Sequence, residues 1–459
     1  MSGNRAVRVA ATSARVLTGA VVAAACAVGV VLAITAPWPT VTHDPAQVEV
    51  TPLPGDTVLV CNGDFRAIGR DPSEPLQMVS AASPRFTVEG SAGEPEIAAL
   101  STGDLVDAGE VRRLTGVVDG RTAPLLAATE SVTLSEDDLS GFAAAPCREA
   151  RIESWLVGGS VETGSEDLIV LTNPGAVPSS VTLTVYGSVP GSRTVIVPAG
   201  AQVALPLTSI ATGAEVPVVN VTATGSPVRA VLQSSLTRTL DPVGIDLQDA
   251  VAAPQRHPVI PGVEIFESDA DDSSGAVIRL LSPPTDTKAV VTVRALGETS
   301  IAREFTVDLT AGTPTEMSLA EMPAGSYSVQ VEADDPVLAA VRQQDGGGPE
   351  SDFAWAMPAP EFRGAALVAV PAGPASRLLL VNDEETDSVV SVAAVDGEAE
   401  EITVPAGSSI AVDVEARTTY SIETSDPIRA AVSQYAPGAM AVWPVWPAAG
   451  PEKSITVYP

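Results

Sequence analysis

Three short landmarks recur in one fixed order four times along this chain, and that recurrence constrains its architecture more than any other feature. The first is an apolar run ending in a turn: VLVCNGD from Val58, IVLTNPG from Ile169, IRLLSPP from Ile278 and LLLVNDE from Leu378. The second is a Pro, two aliphatic or Arg positions and an Ala: PLLA at Pro124, PVRA at Pro227, PVLA at Pro336 and PIRA at Pro427. The third closes each block on a Pro: AAAP at Pro146, VAAP at Pro254, MPAP at Pro360 and PVWP at Pro447. The period is roughly 100 residues, the size of a small domain and about twice that of a propeller blade.

Within a block the apolar residues alternate. In VTLTVY, Val181, Leu183 and Val185 face one way while Thr182, Thr184 and Tyr186 face the other, the period-two pattern of a half-buried strand. VTVRA from Val291 and VSVAAV from Val390 repeat it. TVIVPAG from Thr194, FTVDLTAG from Phe305 and ITVPAG from Ile402 follow, each closing in a Gly turn. Six or seven short strands per block need a second sheet to bury their apolar face. The expected fold is therefore all-β: four tandem immunoglobulin- or fibronectin-like β-sandwich units. With 37 Gly, 39 Pro and only 4% aromatic residues, the composition suits short strands and many turns.

The N-terminus carries a different signal. Arg5, Arg8 and Arg15 precede an uncharged stretch from Val16 to Ala36. About 21 helical residues rising about 1.5 Å each match the roughly 30 Å hydrocarbon core. Basic residues stay cytoplasmic, which places the rest of the chain outside. A cleaved signal peptide is the rival reading, disfavoured because cleavage after Ala36 would put Pro37 first in the mature chain. The expected organisation is a cytoplasmic tail (1–15), one transmembrane helix (16–36), a stem (37–54), a degenerate β unit (55–150) and three sandwiches (151–260, 261–360, 361–459). Pro254 to Pro261 and Pro358 to Gly364 read as linkers between the sandwiches.

Cys26 lies in the apolar stretch, leaving Cys61 and Cys147 in an exported, disulfide-permissive segment. Their pairing would clip the start of the first β unit to its end.

Candidate chemistry is sparse. His43 and His257 are the only histidines, each in a Pro-rich stretch, so neither a Ser/His/Asp machine nor a His-bound zinc is expected. No HExxH or GxSxG motif occurs. No catalytic residue, cofactor or metal ligand is assigned. Paired carboxylates of a glycan hydrolase are the residual enzymatic reading, since 57 acids supply many pairs. The acidic run Glu267, Asp269, Asp271 and Asp272 lacks the glycine and terminal acid of a calcium loop at the required positions and reads as a solvated turn. Asp383, Glu384, Glu385 and Asp387 read as a hairpin turn. Trp155, Trp355, Trp443 and Trp446 read as core or inter-unit wedges, with a ligand platform as the sharper alternative.

A net charge of −32 argues against nucleic acid and against docking on anionic lipid. The segments SWLVGGS from Ser154, LIVLTNPG, VTLTVYG, VPAG and PVRAVLQ resemble an uncharacterised family of single-pass exported envelope proteins of high-GC Gram-positive bacteria, a domain of unknown function. The chain departs from that family at Leu247, where a Trp after Asp246 is usual. The resemblance implies placement in the cell envelope and brings no catalytic residues. The expected function is that of a non-catalytic, membrane-anchored extracytoplasmic protein, a rod of sandwiches that scaffolds or contacts an envelope protein or wall polymer. A carbohydrate-binding or adhesion module is the alternative.

Overall fold

A computed structural model describes residues 4–35, 48–50, 54–70, 72–120, 122–267, 275–319, 321–447 and 455–457. The chain divides into two compact units. The smaller contains the helix Asn4–Thr35 and a two-stranded sheet in which Val48–Val50 pairs antiparallel with Ile455–Val457. Arg15–Thr35 of that helix has a mean hydropathy of 2.5, long and apolar enough to cross a membrane. Part of the expected stem is thus a strand, paired with residues far away in the sequence.

Among its described residues the larger unit, Leu53–Glu452, is all β apart from the single turn of helix at Thr208–Ala211. In the second repeat one sheet orders Glu153–Leu156, Val218–Gly225, Ser179–Tyr186 and Gly191–Val197, and the other Ala201–Pro206, Ser165–Asn173, Arg229–Arg238 and Asp241–Asp249. The third repeat reproduces the same order in both its sheets. Alternation explains the burial: Val181, Leu183 and Val185 are essentially inaccessible and pack with Val219 and Val221 on the neighbouring strand and with Ile169 and Leu171 of the facing sheet. Each such side chain contributes about 1.5–3 kcal/mol by leaving water.

The first repeat instead forms three three-stranded sheets. In the fourth, the 19-residue strand Thr418–Ala436 runs through Pro427 without interruption and joins the repeat into one seven-stranded sheet.

Where six or seven strands are expected, the described residues of the second and third repeats hold eight each. The additional strand is the approach to the third landmark: Ser140–Pro146, Asp241–Asp249, Phe353–Ala356 and Ala439–Pro444 in successive repeats. These four strands pack against one another in a closed cycle, the first meeting both the second and the fourth. Each is buried on both faces, one face serving its own repeat or the axis and the other the preceding repeat. Phe142 enters the fourth repeat's core, and Ile245 and Leu247 that of the first. Phe353 and Trp355 pack with Trp155 and Val218 of the second, and Met440 and Val442 enter the third. The expected rod is therefore corrected: the repeats close on themselves, as in radial repetition, because the fourth strand finds its neighbour in the first repeat. The two expected linkers are short, since Val259–Ile265 and Glu361–Val370 already form strands.

Candidate functional site

The polar groups most removed from water lie on the axis and along the seams between repeats. Asp352 immediately precedes the third axial strand and is fully buried. Its Oδ1 accepts the Ile245 and Phe353 amides, both at 3.0 Å. Its Oδ2 accepts those of Phe142 and Met440, both at 2.9 Å. One carboxyl thus collects one backbone N–H from each of the four repeats. The residue preceding each donor is Gly141, Gly244, Asp352 itself and Ala439. A Cβ at Gly141 or Gly244 would stand 2.7 or 2.5 Å from Asp352 Oδ1, so the carboxylate leaves room only for small neighbours. Burial pushes Asp352 well above the usual carboxylate range, against the pull of its four amides.

Three seams are bridged by an arginine that reaches back to carbonyl oxygens of the preceding repeat. Arg229 donates to Val60 O at 2.8 Å and Pro146 O at 2.7 Å. Arg279 donates to Val157 O at 3.0 Å and Pro217 O at 2.8 Å, and pairs with Glu316 at 2.7 Å. Arg429 donates to Ala359 O at 3.0 Å and pairs with Asp383 at 3.1 Å. Beside Arg229, Arg148 pairs with Asp249 at 2.9 Å. Glu130 accepts the Asn62 and Gly63 amides at 2.5 and 3.0 Å, yet burial pushes it up to about 7. Burial likewise raises Asp246 to about 7 and Asp167 to about 6. Asp246 accepts the Trp355 amide across its seam at 2.9 Å.

The closing seam, between first and fourth repeats, is built differently. A crevice of about 60 Å³ opens there between Leu126–Thr129, Leu367–Ala369 and Trp443–Pro447. Arg148 stacks on the Trp446 ring at 3.6 Å from its centroid, with Arg151 at 5.6 Å. Trp446 Nε1 and Arg151 Nε are buried without an acceptor. Glu149 stands at the rim, its carboxyl raised by partial desolvation against the pull of Arg151 and Arg148. Cys147 lines the crevice and is bridged to Cys61, with Cα atoms 4.3 Å apart across 86 residues of sequence.

The other singled-out residues separate. Trp155, Trp355 and Trp443 are buried as wedges. His257 lies 3.2 Å from Asp383, where it joins Arg429 in holding that carboxyl low despite its burial. Asp383 and Asp387 are engaged in turn and seam contacts. His43, Asp269, Asp271 and Asp272 lie outside the described residues. A second cleft of about 310 Å³ brings Glu166, raised by burial, near Asp138, which Arg70 holds at 2.9 Å, but no aromatic ring lines it. Among the described residues no group of three or more His, Cys, Asp or Glu is arranged to hold a metal. Sequence reading missed Asp352, the seam arginines and the Arg148–Trp446 stack. The one available signal was Arg at the third position of PVRA and PIRA.

A model of a family of unknown function, DUF5719, matches residues 101–422, and the chain belongs to that family. No curated protein matches it.

Proposed function

We propose that this member of a family of unknown function is a membrane-anchored, extracytoplasmic binding scaffold of the cell envelope, acting by contact rather than catalysis. The carrying observation is one apolar helix followed by a β body with a buried disulfide, a pairing that fits an exported, oxidising location. The buried charged groups on the axis and seams support the same reading, since they bond to backbone of neighbouring repeats and rigidify the body. Preorganisation of that kind suits a surface that presents fixed features to a partner. The envelope protein or wall polymer it contacts is the object of the test.

Proteolysis of intact spheroplasts tests the topology: the β body is digested from outside while a tag before Arg5 is protected. A protected β body overturns the reading. Photo-crosslinking from surface positions of the full chain in the envelope tests the contact: adducts with a membrane protein or wall polymer are expected. Release of reducing ends from wall glycan by the purified chain would replace the scaffold with a hydrolase. The exposed Tyr435, with its ring tilted against that of Phe266 at 5.0 Å, favours carbohydrate binding as the second reading, distinguished by adducts on sugar alone.

A further inference from the structure

We propose that the crevice at the closing seam is a binding site for a carboxylate carried on a small apolar group, as at the end of a peptide finishing in alanine.

The cavity has a structural origin. Arg229 and Arg429 occupy the third position of their Pro-x-x-Ala segments, and each fills a seam by reaching carbonyls of the preceding repeat. In the third repeat that position is Leu338, and Arg279 fills the seam instead. In the first repeat Leu126 holds the third position but packs into that repeat's own core with Leu59, Leu114 and Cys147. The residue that faces the seam there, on the side from which Ser131 reaches Ala372 O, is the small Ala127, which lines the crevice. The closing seam is therefore the one where the arginine slot is vacated, and the unfilled volume lies where the side chain is missing.

The lining selects the occupant. With about 10–15 Å³ of such space needed per water, about 60 Å³ takes several waters, room for a carboxylate and a short apolar stub. Leu126, Leu367 and Val445 supply the apolar wall. Arg148 is neutralised by Asp249, whereas Arg151 forms no close ion pair among the described residues and feels the rim carboxyl of Glu149 electrostatically. In a chain of net charge −32, a guanidinium held in no close ion pair beside a desolvated wall is a local site of complementary sign. The acceptor-free N–H groups of Trp446 and Arg151 add donors that an incoming carboxylate can satisfy after a small side-chain shift.

The site supplies a ligand class for the scaffold reading and rests on its premise of binding, but not on its membrane placement. The test titrates the detergent-solubilised full chain by calorimetry with N-acetyl-alanyl-alanine and, separately, its C-terminal amide. The acid is expected to bind roughly tenfold or more tighter than the amide, the ratio expected for one charge-assisted hydrogen bond. Arg151→Gln abolishes that preference, and Glu149→Gln, which removes a like charge from the rim, strengthens acid binding. Ala127→Arg puts into the crevice the side chain that fills the corresponding slot at two other seams and blocks binding while the thermal unfolding midpoint is kept. This second variant carries the test if Arg151→Gln fails to fold. Equal binding of acid and amide, no binding to the unmodified chain, or an unchanged preference in Arg151→Gln overturns the proposal. Such a failure with normal envelope crosslinks leaves the scaffold reading standing, and loss of the crosslinks with an intact acid preference does the reverse.

Discussion

Asp352 Oδ1 accepts the backbone amide of Ile245 at 3.0 Å, from a strand 107 residues earlier in the chain. Through that bond and its counterparts to Phe142 and Met440, the last strand of every repeat is tied to one carboxyl on the axis.

Replacing Asp352 with Ala leaves three amides of other repeats buried and unpaired, each costing about 1–3 kcal/mol. A loss of roughly 3–5 kcal/mol is expected. Asp352→Asn, which keeps one acceptor oxygen, loses less. Urea unfolding followed by tryptophan fluorescence measures both, and equal stability of Asp352→Ala and the unmodified chain would refute the keystone role.

The small residues around that carboxyl make a separate test. Gly244→Ala places a Cβ 2.5 Å from Asp352 Oδ1 and 2.8 Å from Phe353 Cδ1, at φ +129°. It is expected to cost about 3 kcal/mol, by backbone strain and displacement of the axial contact together. Gly297→Ala, at φ +80° with open space around it, incurs only the conformational term of about 1–2 kcal/mol. Comparable losses in the two variants would show that the axis is not crowded.

Arg279→Met removes the donor to Val157 O and Pro217 O and leaves Glu316 without its cation. Breaking one partner of a buried pair costs about 3–5 kcal/mol; Glu316 is partly exposed, so about 3 kcal/mol is expected. Arg279 also lies over Trp355 at 4.8 Å, so the variant should alter tryptophan emission before unfolding begins.

Reducing the Cys61–Cys147 bridge, or replacing both with Ser, frees an 86-residue loop. The chain-entropy model sets the loss at no more than about 4.5 kcal/mol. The first repeat, with three small sheets rather than a full sandwich, should gain hydrogen exchange first. Uniform acceleration across all repeats would mean that the ring opens as one piece.

Burial raises Glu130 and Asp246 to about 7 and Asp167 to about 6. Between the ordinary carboxylate range and those values the folded state binds more protons than the unfolded one. Stability therefore falls as pH rises from about 4 to about 7, with Asp383, held low, contributing in the opposite sense below its ordinary range. Asp246→Asn keeps an acceptor for the Trp355 amide and should flatten the slope between pH 5 and 7, roughly. Melting temperatures across that interval, at fixed salt, decide it.

The sheets themselves were legible from residue types, because period-two alternation such as Val181-Leu183-Val185 is enforced locally by the pleat. The closing strands were not. Gly141–Ala145 and Ala354–Trp355 are buried on both faces, so they show no alternation and read as landmarks before a Pro. The crevice was equally invisible, since aligning the Pro-x-x-Ala segments puts Leu126 opposite Arg229 and Arg429, whereas the residue facing the seam is the neighbouring Ala127.

The order of residues by itself determined four repeats of strand-forming sequence, a lipid-length apolar helix and two cysteines free to meet, since each follows from local periodicity, length or count. Only the tertiary structure decided that the fourth repeat returns to the first, that Asp352 gathers one amide from each, and that one seam is left without its arginine. Those outcomes depend on which strand ends converge in space. Hydrogen-bond partners about 90 to 210 residues apart leave no trace in neighbouring residue types.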